Sequence, residues 1–445
     1  MLKDKVKKAL KTEEISRIET ELLELKGKIE SLSQGYDFVQ KRIEERFDYI
    51  DARLKKGDFL SLEYLSLEKK PKILVCGFYG ARNLGDELML QSILSFFNEN
   101  NTRVTILLSD NYDFDASVYA PHDVIHYPKC SSDILALSNH FDVVIWGGGA
   151  HLDDFNYRFN CGATSLSYVL NKLSMAVIKK GGDVVVLGVS SNKEISNSDY
   201  IKDLQFIIDH SKYFSLRDTN SMNTLKNAGI KVDGVRVIDD LAINLLRERS
   251  EVKKDESRMT IGLVYILTEE TYKKLGNFTK CLIDQIKKET EKEVDIRMIP
   301  FYDYCDNDEK WFAKIIKECH LDENAVVVAK YSDTMDDLIN VIEKCDVVIS
   351  MRYHATLIAA NLGINTVSLD YSDAHRHYYN KINYIKEKYR RDLVNSSFSG
   401  SVKTMVAEVT QAVRNWCDTS DYINKMNVNK KSLKGELTRA LGNYI

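Results

Sequence analysis

Residues 345–371 read CDVVISMRYHATLIAANLGINTVSLDY. Two apolar, β-branched runs, CDVVISMR (345–352) and NTVSLDY (365–371), flank a stretch rich in Ala, Leu and Ile that ends at Gly363. Runs apolar on both faces are strands that bury both faces, and a helix between two of them makes a parallel crossover unit. Ala355, Ala359, Ala360 and Gly363 keep that helix close to the sheet. Arg352 and His354 stand where the first strand ends. An unpaired charge is costly at a buried strand end, but ligands collect at the carboxyl ends of parallel strands.

The same pattern extends outward. KILVCGFYG (72–80), TRVTILLS (102–109), FDVVIWGGG (141–149) and DVVVLGVS (183–190) read as strands, with helices at 86–98 and 163–180 between them. KYFSLRDTNSMNTLKNAGI (212–230) adds a further strand and helix. After a charged linker, RERSEVKKDESR (247–258), come MTIGLVYI (259–266), VDIRMIPF (294–301) and NAVVVAKY (324–331). The fold expected is therefore α/β, with two Rossmann-like lobes at 70–246 and 258–395 and a cleft between them. A helical tail follows over 396–445, with one amphipathic helix at 402–417 and a polar end. In residues 1–60, Ile15, Ile18, Leu22, Leu25, Ile29, Leu32, Tyr36, Val39 and Ile43 keep an alternating 3–4 spacing among Glu, Lys and Arg. That is a heptad seam, and it predicts a coiled-coil helix joining copies of the chain into a homo-oligomer, with docking on a partner or folding back onto the chain's own globular domain as the alternatives.

The 445 residues are 44% apolar and 29% charged, as in a soluble globular protein, and the net charge of -4 gives no reason to expect nucleic-acid binding. Eight cysteines without a CxxC pair argue for buried thiols rather than zinc or disulfides. No run approaches 18 apolar residues, and the basic start lacks a signal-peptide core. A cytoplasmic protein is expected, with peripheral attachment at the inner face of a membrane as the other option.

Five strand ends or loops carry the candidate chemistry. GFYGARNLGDELML (77–90) places Asn83, Asp86 and Glu87 at the opening of a helix, as ligands or as ordinary caps. WGGGAHLDD (146–154) puts Gly148 and Gly149 where backbone amides reach a ligand or elements pack closely. FSLRD (214–218) offers Arg217, with an Arg217–Asp218 ion pair as the competing account. IPFYDYCDND (299–308) gathers Asp303, Asp306 and Asp308 without calcium-loop spacing, so no metal is assigned. Finally, Arg352 supplies a planar fork suited to carboxylate or phosphate, Tyr353 follows it, and His354 supplies a group that titrates near neutrality.

In order along residues 72 to about 390, these stretches resemble the polysaccharide pyruvyl transferase family. GFYGARNLGDE is similar to its opening turn, WGGGAHLDD to its glycine-triplet loop, FSLRD to its Ser-x-Arg-Asp stretch and ISMRYHATLIAA to its Met-Arg-x-His signature. One departure is that Tyr371 is followed by Ser372, Asp373 and Ala374 where the family carries a lysine-containing turn, leaving His375 or Arg376 as substitutes. The resemblance implies a GT-B-like fold and transfer of the pyruvyl group of phosphoenolpyruvate onto two hydroxyls of a sugar, lipid-linked or nucleotide-linked, in a cell-surface polysaccharide or its precursor. It also implies a pyruvate ketal as product and phosphoenolpyruvate as donor substrate, with no cofactor. Arg217 and Arg352, with Tyr353, Asn83, Gly148 and Gly149, are then expected to bind substrate. His354 is expected as general acid, and Asp86 or Glu87 as base. The alternatives are a GT-B glycosyltransferase using a nucleotide-sugar donor and a non-catalytic scaffold in polysaccharide assembly.

Overall fold

The structure is a computed structural model. It describes residues 71–445 apart from 109–115, 129–130, 155–156, 158–164, 192, 251–254, 304–306, 333, 371–375, 389–392 and 415–421. The expected coiled coil, Asp306 and the turn after Asp370 lie outside the described residues.

The first lobe is built from β1 (Ile73–Cys76), α1 (Leu84–Glu99), β2 (Thr105–Leu108), β3 (Asp123–His126), α2 (Ser131–His140), β4 (Val143–Trp146), β5 (Gly149–Leu152), α3 (Leu166–Lys179), β6 (Asp183–Ser191), α4 (Ser198–His210), β7 (Tyr213–Leu216), α5 (Thr219–Asn227) and β8 (Arg236–Val237). Its strands are ordered β3-β2-β1-β4-β6-β7-β8, all parallel, with β5 paired to the far end of β6. Strand periodicity divides the side chains between two cores. Ile73 and Val75 pack with Leu88 and Ile93 of α1, whereas Leu74 and Cys76 pack with Leu170 of α3 and Leu204 of α4.

The second lobe repeats the plan with β9 (Arg258–Val264), α6 (Tyr272–Thr290), β10 (Glu293–Met298), α7 (Asp308–Glu318), β11 (Val326–Val328), α8 (Met335–Ile342), β12 (Val347–Ser350), α9 (Tyr353–Asn361), β13 (Asn365–Asp370), α10 (Arg376–Lys388) and β14 (Val394–Ser397). The order is β11-β10-β9-β12-β13-β14, again all parallel. The stretch 345–371 is the expected crossover unit, β12–α9–β13, with Val347 to Ser350 in register with Asn365 to Ser368.

The tail departs from expectation. After α11 (Val402–Arg414), the presumed polar end forms a 20-residue helix, α12 (Tyr422–Leu441), which returns to the first lobe. Met426, Leu433, Leu437 and Leu441 are buried, each leucine contributing roughly 1.5–3 kcal/mol. The Tyr213 hydroxyl donates to Glu436 (2.7 Å), and the Tyr444 hydroxyl donates to Asp183 (3.0 Å). One apolar core runs unbroken from α1 through Leu241–Ile243 and α9 to α12, so the carboxyl ends of both sheets are held facing one another.

Candidate functional site

His354 lies in the first turn of α9, for which Arg352 occupies the N-cap position. Its ring packs on the first turn of α1, where a Cβ added at Gly85 would fall on the imidazole. Only glycine fits there. His354 Nε2 lies 3.3 Å from Asp240 Oδ2 and 3.4 Å from Arg217 Nη1. One nitrogen therefore faces a carboxylate that accepts its proton bond and a guanidinium that donates when the proton is gone. Both protonation states find a partner.

Arg217 ends β7, is 4% exposed and makes its ion pair with Asp240 at 3.0 Å, not with its neighbour Asp218. Its Nε donates to Ser190 (3.0 Å), and its guanidinium stacks 4.6 Å over the Tyr353 ring. Burial works against the charge, but Asp240 outweighs it and raises the guanidinium further. Asp240, 1% exposed, also accepts the Ala242 amide at 3.0 Å. Burial alone would raise its carboxyl, but His354, Arg217 and that amide hold it well below the usual carboxylate range. Asp240 is the hub of the site, and the sequence reading missed it. VIDDLAI (237–243) looks like an ordinary helix cap, which Asp240 also is.

Arg352 engages Asp308 bidentately through Nη2, at 3.0 and 3.1 Å. Asp308 opens α7 and accepts the amides of Phe301 (2.8 Å) and Tyr302 (2.9 Å). Burial raises its carboxyl despite Arg352 and the two amides. These bonds leave Arg217 Nη2 and Arg352 Nη1 uncommitted among the described residues.

The opening turn divides its work. Glu87, expected as an alternative base, accepts the Gly80 amide (2.8 Å) with one oxygen and the Tyr119 hydroxyl (2.6 Å) with the other. Both oxygens help to fix the turn. Asp86 accepts Asn83 Nδ2 at 2.7 Å and sits beside Gly149. Asn83 itself forms an antiparallel bridge to Tyr302, Leu84 donates its amide to Phe301 (3.0 Å), and Arg82 pairs with Asp303 (2.8 Å). The turn of one lobe is thus joined to the β10–α7 loop of the other. Arg82 adopts φ 49°, an unfavourable left-handed conformation for a side chain of its kind.

The triple glycine proves to be a packing device. A Cβ at Gly147 would meet the Tyr79 hydroxyl, one at Gly148 the Met89 sulfur, and one at Gly149 the His151 ring. Gly148 and Gly149, expected to line substrate, leave room for the Met89 sulfur and the His151 ring. His151, unassigned by the sequence reading, is buried with Nε2 3.0 Å from the Gly148 carbonyl. Burial lowers it to about 4, reinforced by Arg217 and opposed by the Gly148 carbonyl, so it is neutral near pH 7. Among the described residues there is no cluster of His, Cys, Asp or Glu that would hold a metal, and no helix is long and apolar enough to cross a membrane.

Two parallel sheets with reactive groups meeting between their carboxyl ends define a two-lobed α/β protein of the GT-B type. Solved structures with this fold include a glycosyltransferase from Rickettsia africae (11% identity, 85% of this chain and 98% of that one, TM-score 0.53). They also include a putative UDP-N-acetylglucosamine 2-epimerase from Listeria monocytogenes (11% identity, 83% and 94%, TM-score 0.51). A third is the UDP-GlcNAc 2-epimerase from Neisseria meningitidis (13% identity, 84% and 99%, TM-score 0.51). No curated protein matches the chain. The family model for polysaccharide pyruvyl transferase matches residues 83–373, and the chain belongs to that family of transferases.

Proposed function

We propose that the chain transfers the pyruvyl group of phosphoenolpyruvate to two hydroxyls of a sugar in a cell-surface polysaccharide or its precursor, forming a cyclic ketal. The observation that carries this reading is His354 of one lobe set between Asp240 and Arg217 of the other. Protonation of the donor's methylene by His354 Nε2 makes C2 electrophilic, and Arg217 takes up the bare nitrogen. A first sugar hydroxyl bonds to C2 and releases its proton to a base, for which Asp86 is the candidate. Phosphate departs with the C2–O electron pair, and a second hydroxyl closes the ketal. One hydroxyl proton restores His354, and the other leaves with phosphate. The uncommitted arms of Arg217 and Arg352 suit the donor's phosphate and carboxylate.

Phosphate release from phosphoenolpyruvate, assayed against lipid-linked and nucleotide-linked sugars, tests the reaction. Thermal stabilisation by phosphoenolpyruvate that exceeds that by any UDP- or GDP-sugar supports it. The reverse order favours a nucleotide-sugar glycosyltransferase.

A further inference from the structure

Beside the Arg217–Asp240–His354 cluster, two buried polar groups have no partner. Asp218, 1% exposed, caps α5 by accepting the Ser221 amide at 2.6 Å with Oδ1, while Oδ2 accepts nothing. The Tyr353 hydroxyl is likewise buried and unbonded. Its ring is held in place by Arg217 on one face and by an edge contact with His354 at 5.2 Å. The charge on Asp218 acts on both Tyr353 and Tyr384 of α10, which places the three near one another. Lys388 stands beside Tyr384, donating to its hydroxyl (3.0 Å) and pairing with Asp239 (2.6 Å). Buried groups in native proteins are almost always satisfied, so an orphaned pair at a reactive site calls for a missing partner. A carboxylate oxygen needs a donor, whereas a phenol gives or accepts. Neighbouring hydroxyls of a sugar supply both at once.

We propose that Asp218 and Tyr353, backed by Tyr384 and Lys388, form the acceptor subsite and bind two adjacent hydroxyls of a sugar. This rests on the pyruvyl-transfer reading and names the part of the site that receives the second substrate. Asp218 Oδ2 accepts from the attacking hydroxyl, and the Tyr353 hydroxyl fixes its neighbour, close to His354.

The test uses the full chain saturated with phosphoenolpyruvate. Binding of methyl β-D-galactopyranoside, methyl β-D-glucopyranoside and the methyl glycoside of N-acetyl-β-D-mannosamine is followed by saturation-transfer NMR. The variants are Asp218→Asn, which keeps the helix cap, and Tyr353→Phe. At least one glycoside is expected to bind, with affinity falling about tenfold or more in each variant, as for a buried hydrogen bond left unmade. The melting-temperature rise caused by phosphoenolpyruvate is expected to persist in both. Tyr353→Phe without ligand is expected to melt at or above wild type, because its hydroxyl has no bond to lose. Equal glycoside binding in both variants, no glycoside binding to a donor-stabilised protein, or a lower melting temperature for Tyr353→Phe each overturns the subsite. A wild-type protein that phosphoenolpyruvate does not stabilise refutes the donor reading instead. The same glycoside comparison, made without donor, then still decides the subsite.

Discussion

Replacing His151 with Gln should remove a pH dependence that the site builds into folding. In the folded protein His151 titrates at about 4, because burial and Arg217 disfavour its charge, against about 6.5 for a solvated histidine. Between these values the unfolded chain binds a proton that the folded chain refuses, so stability rises with pH across the window. The penalty is about 0.4 kcal/mol at pH 6.5 and grows to about 2.5 kcal/mol at pH 4.5, from the linkage relation and those two values. Gln carries an amide where His carries Nε2, so it preserves the donation to the Gly148 carbonyl without titrating. Urea unfolding at pH 7.5 and 4.5, followed by tryptophan fluorescence from the buried Trp146 of the same lobe, gives the difference directly. Other titrating groups, such as Asp308 with its carboxyl raised by burial, are common to both proteins. The wild type should therefore lose about 2.5 kcal/mol more than the variant between the two pH values. Parallel losses would show that His151 is not held neutral by its surroundings.

Three further substitutions follow from the geometry. Asp240→Asn leaves Arg217 buried without its carboxylate and should cost about 3–5 kcal/mol, read as a lowered melting temperature that suppressing the Arg217 charge with Arg217→Met partly restores. Gly85→Ala drives a methyl group into the His354 ring, and turnover should fall about a hundredfold with secondary structure intact by circular dichroism. Arg352→Lys exchanges a fork for a point charge facing Asp308, and both the ligand-free melting temperature and the apparent affinity for phosphoenolpyruvate should fall. A change in the melting temperature alone would make Arg352 purely a structural brace within the second lobe.

The fold was legible because strands covered by helices on both faces are apolar throughout, and crossovers of this kind have one topology. The helix α12 was not, because its core residues, Met426, Leu433 and Leu437, are separated by Asn, Lys and Gly and find their apolar surface only once the chain has folded back onto the lobes. Arg217, Arg352 and His354 announced themselves as basic side chains at strand ends. Their partners did not. Asp240 lies 114 residues before His354 and meets it only because two lobes face one another, and Asp308 lies 44 before Arg352 and meets it only through the folding of the second lobe. The glycine triplet was ambiguous because a glycine that admits a ligand and one that admits Tyr79, Met89 or His151 look the same in sequence. Glu87 was ambiguous for a related reason, since a carboxylate at a helix start becomes a base or a clamp according to what reaches its oxygens.

The central claim is that His354 gives a proton to phosphoenolpyruvate while Asp240 and Arg217 attend its two states. The direct measurement is sugar-dependent phosphate release from phosphoenolpyruvate in deuterium oxide, comparing wild type with His354→Ala. The account predicts deuterium in the methyl group of the ketal product and a rate at least about a hundredfold lower in the variant, with donor-induced stabilisation retained. A variant that releases phosphate at the wild-type rate, or a wild type that releases none with any sugar while a nucleotide sugar stabilises it, would contradict the account.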